Sequence, residues 1–290
     1  MKHPWYRPYL YLLPAFVMFA IFLIYPMGYS FYLSFTKYSL ATSDHPEFLG
    51  LQQYITLLTK NPTFLTSLLN QVKFGVPFFL VGLCLSFFIA VFINAAKAGK
   101  TFFQVIIYMP LIIPNSIAAI IFLWIFDNTF GIVNYALRLV SVVPPRWFDD
   151  PILTIYMFVP VKLWITVGFP TVIFLSGLQT IPNSLYEAST IDGSTFLHDV
   201  FYITIPLMRN YIVMVCVWLL INSLKLFQLP YVLTGGGPGV STYTMYFFSW
   251  SQAFQSFKMG SASAAAYING ILILLLSWLI NLFAGKEKAN

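Results

Sequence analysis

The side chains able to carry chemistry are few and scattered. His3, His45 and His198 stand in separate regions, without the spacing that a metal site needs. Neither H-E-x-x-H nor G-x-S-x-G occurs, so zinc-assisted and serine-nucleophile hydrolysis both lack their framework. Cys84 and Cys216 lie far apart in apolar runs; they form no disulfide framework and read as buried, inert thiols. The nearest approach to a phosphate loop is Asn94-Ala-Ala-Lys97-Ala-Gly99-Lys100-Thr101. Asn94 stands where the first glycine is required, and the stretch joins two apolar helices instead of following a buried strand. It reads as a turn with two lysines. What remains is a set of polar side chains inside apolar runs (Asn115, Ser116, Thr166, Thr171, Asn222, Ser223 and Asn269), together with Glu187 and Asp192 in a polar loop. Such a set suits hydrogen bonding along a path and docking to a partner. It does not suit catalysis, and no enzyme is expected in this chain.

The elements that must position these residues follow from composition. Of 290 residues, 59% are hydrophobic and 8% charged, with a mean hydropathy of +0.80. A soluble domain carries about 25% charged residues, so this chain cannot cover a water-exposed surface and reads as an all-α integral membrane protein. Continuous apolar runs exclude a β-barrel, whose strands alternate. A bilayer crossing needs roughly 20 apolar residues. Six runs qualify: about 9–36, 74–96, 103–126, 153–178, 205–228 and 262–285. The first is too long for the apolar region of a signal peptide and no A-x-A pattern follows, so it is expected to stay as a helix, kinked by Pro14 and Pro26. The net charge of +6 has no block of like sign, which argues against a nucleic-acid surface. Lys2, Arg7, Lys97, Lys100, Arg209, Lys286 and Lys288 fall in short segments on one side, and Lys37, Lys60, Arg138, Arg146 and Lys258 in longer segments on the other. Positive-inside bias then places both termini in the cytoplasm. Lys162 and Lys225 lie toward the outer ends of their spans and are expected to snorkel.

The segment between spans four and five, 179–206, is long and unexpectedly apolar. Ser184 and Glu187 form an S-x-x-E capping box that should start a helix. Gly193 suits the left-handed position that ends one. Ser194 or Thr195 then caps a second helix over about 196–204, and Pro206 opens span five. Leu185, Tyr186, Ile191, Phe196, Leu197, Val200 and Phe201 give the loop an apolar content that usually marks a docking surface. Asp192 is expected to fix the corner. A second glycine corner, Gly235-Gly236-Gly237-Pro238-Gly239, breaks helix after span five and is expected to contact a solute-delivering protein outside.

Here a resemblance becomes specific. Tyr186-Glu187-Ala188-Ser189-Thr190-Ile191-Asp192-Gly193, followed by Ile205-Pro206, resembles the EAA loop of ATP-binding-cassette importer permeases. Leu233-Thr234-Gly235-Gly236-Gly237-Pro238 with Ser241-Thr242 and Gln252-Ala253-Phe254, and Phe48-Leu49-Gly50-Leu51-Gln52-Gln53-Tyr54, resemble the carbohydrate branch of that family. Ser189 and Ser194 stand where the pattern has alanine, and Asn210 where proline is frequent. The resemblance implies one permease domain over 1–290 with six transmembrane helices and a coupling helix within the 184–205 loop. It implies ATPase-coupling roles for Glu187, Ala188, Ser189, Asp192, Gly193 and Pro206. It places Gly168, Thr171, Asn222 and Ser223 along the solute path, to which residue chemistry adds Asn115 as a polar group and Phe169 and Phe227 as stacking faces; helix–helix packing by the same residues is the alternative. The implied partners are a second homologous permease, two ATP-binding subunits that hold ATP and Mg, and an extracellular or periplasmic solute-binding protein. The cargo would be a sugar, oligosaccharide or polyol, and the location a prokaryotic cell membrane. No cofactor is expected in this chain. The competing reading is an ion-coupled secondary transporter, against which stand the lack of an internal repeat and of mid-span carboxylates.

Overall fold

The structure, a computed structural model, describes residues 7–96 and 98–285. Lys2, His3, Lys97, Lys286 and Lys288, used above for orientation or chemistry, lie outside them. Helices occupy most of the described chain: α1 (Arg7–Phe19), α2 (Tyr25–Ser34), α3 (Gln52–Thr59), α4 (Pro62–Ala95), α5 (Lys100–Tyr108), α6 (Asn115–Ile125), α7 (Ile132–Leu139), α8 (Leu153–Thr166), α9 (Gly168–Leu178), α10 (Asn183–Ile191), α11 (Phe196–Asp199), α12 (Ile205–Leu207), α13 (Arg209–Leu224), α14 (Met245–Trp250) and α15 (Met259–Gly285). Among the described residues three helices are long and apolar enough to cross a membrane unbroken, and three bent pairs raise the crossings to six if each pair is one span. Contacts group the chain into two units, one of residues up to 65 with 248–270, the other of 66–247 with 271 onward.

Prolines stand at a register shift in the first run and at two of the three bends, while α1, α4 and α8 run on through Pro14, Pro77 and Pro160. In the first run Pro26 has no N–H to give Phe22, and the ladder shifts to a π turn over Ala20–Ile24, with Tyr25 N–H bonding Ala20 O. The expected kink becomes a change of hydrogen-bond register within one helix, Tyr9–Ser34. Span three is sharply broken. Pro114 forces Ile113 out of the helical region, to ψ 125°, and α5 with its 3₁₀ extension meets α6 at 101°. In span four Pro170 cannot donate to Thr166, and α8 and α9 meet at 52°. Helix α4, by contrast, starts at Pro62, where a missing N–H costs nothing. Its 34 residues extend about 51 Å, well past the ~30 Å hydrocarbon layer.

The unit of 66–247 and 271 onward holds the main core. Phe74 and Phe78 of α4, Phe158 of α8, Phe174 of α9 and Leu219 of α13 are fully covered within it. Helix α8 is buried over most of its surface, as its largely apolar sequence requires, and Thr154, Lys162 and Thr166 are buried with it. In the other unit a short antiparallel pair forms, with Thr36 opposite Phe48 and Lys37 opposite Glu47. Gln53 Nε2 donates to Thr36 O at 3.0 Å, and Tyr54 donates to Ser34 Oγ at 2.7 Å. The segment 48–54 noted in the sequence thus builds a clasp at the end of α2.

Candidate functional site

The 179–208 segment folds as an elbow. Helix α10 ends at Asp192; Gly193 turns the chain at φ +76°, the left-handed conformation for which glycine carries no steric penalty. Thr195 then caps α11, its hydroxyl accepting from His198 N–H. The helix continues through a π turn, Val200–Thr204, into α12. Past Met208 the chain bends by 78° into α13. Leu185, Ile191, Phe196, Leu197, Phe201, Tyr202 and Leu207 are all exposed, an apolar face left uncovered among the described residues. Glu187 is exposed on α10 and makes no hydrogen bond among the described residues. Ala188, Asp192, Gly193 and Pro206 are exposed too, while Ser189 is half-buried. A concavity of about 570 Å³ opens between the two arms, lined by Leu185, Ala188, Ser189, Asp192, His198 and Ile203 among others.

Two expectations for the elbow are corrected. The capping box does not form: Pro182 is the N-cap, with extended ψ 131° and no side-chain acceptor, so the helix starts at Asn183 and Ser184 falls inside the first turn. Pro206 lies in the one-turn helix α12, two residues before Met208, where the chain bends into α13. Asp192 does not fix the corner through its side chain. Asp199 does: its Oδ1 accepts from the hydroxyls of both Ser189 and Ser194. Those hydroxyls, Ser189 first, hold the Asp199 carboxyl below the usual carboxylate range. Ser189 and Ser194 are the two positions at which the loop departs from the alanine pattern, and here both serve as donors. A second tie joins Tyr186 Oη to Thr204 Oγ1 at 2.9 Å. Thr204 also donates to Asp199 O at 3.2 Å, satisfying a carbonyl at the head of the π turn. Tyr186 packs on the main core, so the elbow is anchored as well as tied. The sequence signal for Asp199 was slight: one acidic residue inside an apolar helix.

The polar residues at lipid depth fall into separate places. Phe169 of α9 stacks on Trp218 of α13, ring centroids 4.9 Å apart. One turn on, Asn222 donates to Trp218 O at 3.0 Å. Phe169, Trp218 and Asn222 are all partly exposed and make a strip of two flat rings and one amide. Trp218 was missed from sequence, because a tryptophan in an apolar run carries no distinguishing spacing. Ser223 points elsewhere. It is buried, gives its hydroxyl to Leu220 O at 2.7 Å, and packs toward α4, where a methyl on Gly75 would touch it. Thr171 is fully buried and donates to Val167 O at 2.8 Å. Gly168 sits where a Cβ would come within 2.7 Å of Ile107 O, so its absence of side chain lets α5 approach α9. Asn115, at the start of α6, has a buried Oδ1 without a hydrogen-bond partner among the described residues. Phe227 lies beyond α13, stacked on Tyr231 at 5.5 Å.

Further side chains depart from expectation. Lys162 is 8% exposed; it is enclosed by its own unit on α8 and does not snorkel. Lys225 does end α13 exposed. Cys84 is exposed and Cys216 only half-buried, because a residue in an apolar run can face lipid as readily as core. Lys100 folds back to donate to Asn94 O at 2.8 Å, which makes the phosphate-loop look-alike a helix–helix turn. In the glycine corner after span five, Pro230–Thr234 is a π turn, Gly235, Gly236 and Gly239 have positive φ, and the Gly237–Pro238 bond is cis.

Comparison with known proteins places this architecture. The model of the binding-protein-dependent transport system inner membrane component family matches residues 82–287. The sulfoquinovosyl glycerol transport system permease protein SmoG of Agrobacterium fabrum is 31% identical over 89% of this chain and 84% of its own length. The trehalose/maltose transport system permease protein MalF of Thermococcus litoralis is 29% identical over 92% of this chain and 89% of its own. The fold matches that of a chain in the crystal structure of a bacterial ABC transporter involved in the import of the acidic polysaccharide alginate, with a TM-score of 0.84 at 22% identity over 96% of this chain and 95% of that one. With six possible crossings, an elbow before the fifth and a family match over most of its length, the chain belongs to the binding-protein-dependent transport system inner membrane components, the permease subunits of ABC transporters.

Proposed function

We propose that this chain is one permease subunit of an ATP-driven carbohydrate importer in a prokaryotic membrane, a single transmembrane permease domain with both termini cytoplasmic. A second, homologous permease would complete the path, a solute-binding protein would deliver cargo outside, and two ATP-binding subunits would hold ATP and Mg. The observation that carries this reading is the elbow: an exposed helix, α10, ending in a glycine corner and followed by an uncovered apolar arm that bends directly into a span. Glu187 and Ala188 would face the ATPase. Closure of the ATPase pair would push on α10, and α11 with α12 would carry the displacement to α13. Because α13 bears Trp218 and Asn222, that motion would reshape the strip formed with Phe169.

The carbohydrate class is supported by the cargo named for two relatives and by the chemistry of the strip. Sugars present apolar ring faces that stack on aromatics and hydroxyls that pair with amides. Asn115 Oδ1 is a further acceptor in want of a donor.

The test uses proteoliposomes containing the complete transporter and labelled maltose, trehalose, sulfoquinovosyl glycerol and an alginate oligosaccharide as probes. Glu187→Lys combined with Gly193→Pro should abolish uptake of whichever probe the wild type carries, with the ATPase detached or idling. Unchanged uptake would overturn the coupling role. Uptake that survives loss of the ATPases and stops with an uncoupler would favour the ion-driven reading instead.

A further inference from the structure

A glycine corner is a poor lever. Gly193 has nothing within 4 Å of where a Cβ would stand, and a single left-handed residue between two helices is a hinge about which both can swing. Helix α11 itself is one turn, Phe196–Asp199, followed by a π turn whose hydrogen bonds run one residue longer than those of an α-helix. Taken along the backbone alone, a displacement of α10 would be lost at Gly193 and again at Val200–Thr204.

Side chains bypass both soft points. Asp199 is the last residue of α11, and its Oδ1 receives two hydroxyl donors, Ser189 on α10 from across the corner and Ser194 just past the glycine. Hydrogen bonds to a carboxylate are the strong kind, and two converging on one oxygen fix direction as well as distance. Ser194 Oγ also lies 3.2 Å from His198 Nδ1, and His198 stacks on Tyr202, 4.4 Å away. Three residues back along α10 from Ser189 and five residues past Asp199, the Tyr186–Thr204 pair closes a second rung at the end of the π turn, at 2.9 Å. The two rungs run from α10 to Asp199, just before the π turn, and to Thr204, its last residue. Two rungs prevent the rotation that one alone would permit.

We propose that Asp199, through Ser189 and Ser194 and seconded by Tyr186 with Thr204, is the positioning residue that makes the elbow a rigid strut, so that displacement of α10 reaches α13 instead of dissipating at the glycine hinge. This rests on the coupling role proposed above for α10. Asp199 touches neither nucleotide nor solute; it acts by holding α10 and α11 at one angle.

Two measurements on the complete transporter test it, in a Cys84→Ala, Cys216→Ala background. The first is the distance distribution between spin labels at Leu185 and Leu197, both exposed and one on each arm. It should be narrow in the wild type and broad in Asp199→Ala and in Ser189→Ala with Ser194→Ala, with or without ATPase subunits. The second is the movement of a label at Met214, exposed on α13, when ATP and vanadate trap the closed ATPase. The ratio of moved to unmoved labels should fall about threefold in either variant, a modest factor because the tie is partly solvated. The exchange Ser189→Asp with Asp199→Ser restores donor and acceptor in reversed order and should recover both readings, which a loss of folding would not allow. A narrow Leu185–Leu197 distribution in Asp199→Ala, or an exchange that recovers neither reading, overturns the strut. If instead the coupling role is what fails, the Met214 label stays still in the wild type as well, while the Leu185–Leu197 result stands by itself.

Discussion

Two glycine corners, Gly193 and Gly236, turn the chain in the same backbone region for different reasons. Gly193, at φ +76°, stands in open space; only its backbone conformation calls for glycine. Gly236, at φ +94°, lies under two aromatic rings, and a Cβ there would come within 2.5 Å of Tyr243 and 2.6 Å of Phe247. The glycine turn is packed from within, its Thr242 hydroxyl donating to Gly237 O at 3.0 Å. The elbow leaves its corner uncovered and is stiffened from one side by Asp199. A corner filled by its own chain is finished. A corner left open, beside an uncovered apolar face, is shaped for something that arrives.

That contrast can be broken most forcefully at Gly236. Gly236→Ala combines a left-handed alanine, at about 1–2 kcal/mol, with overpacking against two rings, at about 1–3 kcal/mol. It should lower the melting temperature of the purified protein markedly and reduce its yield from membranes; a melt equal to wild type would show that the rings yield freely. Gly193→Ala carries only the conformational term, about 1–2 kcal/mol, and Gly193→Asn less, since asparagine tolerates the left-handed region. Thermal melts of these two should stay within a few degrees of wild type, while transport falls further in Ala than in Asn. A collapse in melting temperature for Gly193→Ala would mean that the corner is packed after all.

The smallest effect sharpens the comparison through two aspartates. Asp127 accepts from Thr129 Oγ1, Phe130 N and Thr129 N, in that order of effect, and these hold its carboxyl below the usual range. Every one of those donors lies within three residues. Asp199 is lowered as well, but first by the Ser189 hydroxyl across a corner and then by that of Ser194. Both groups bind a proton less readily folded than unfolded. The stability each lends is therefore complete above the unfolded carboxylate value, near 3.9, and is lost as pH falls through the depressed folded value. Acid titration followed by carboxylate NMR should show both titrating below that of an unfolded chain. Asp127→Asn should leave the midpoint of Asp199 unmoved, whereas Ser189→Ala should raise it; a midpoint indifferent to Ser189 would contradict the tie.

Much of this was legible beforehand. The apolar runs gave the crossings, since 8% charged residues cannot solvate a surface. Gly193 and Thr195 gave the end of one helix and the start of the next, because left-handed geometry and capping are local. The capping box misled because Pro182 claimed the N-cap position first, two residues before Ser184. Span three looked like one helix because hydropathy is blind to what Pro114 does to Ile113. Asn222 and Ser223 looked equivalent as neighbours in sequence, yet about 100° of helical rotation separates them, enough to put one beside Trp218 and the other against α4.

From its sequence alone this protein is determined to be a bundle of lipid-solvated helices with a two-armed elbow before the fifth crossing, because hydrophobicity, proline and glycine act on the chain within a few residues. Only the tertiary structure decided that Asp199 and not Asp192 holds that elbow, that Trp218 joins Phe169, and that Lys162 is enclosed. Each of these depends on where a distant segment lies once the chain has turned, and the angle of a turn is set by packing that no local spacing records.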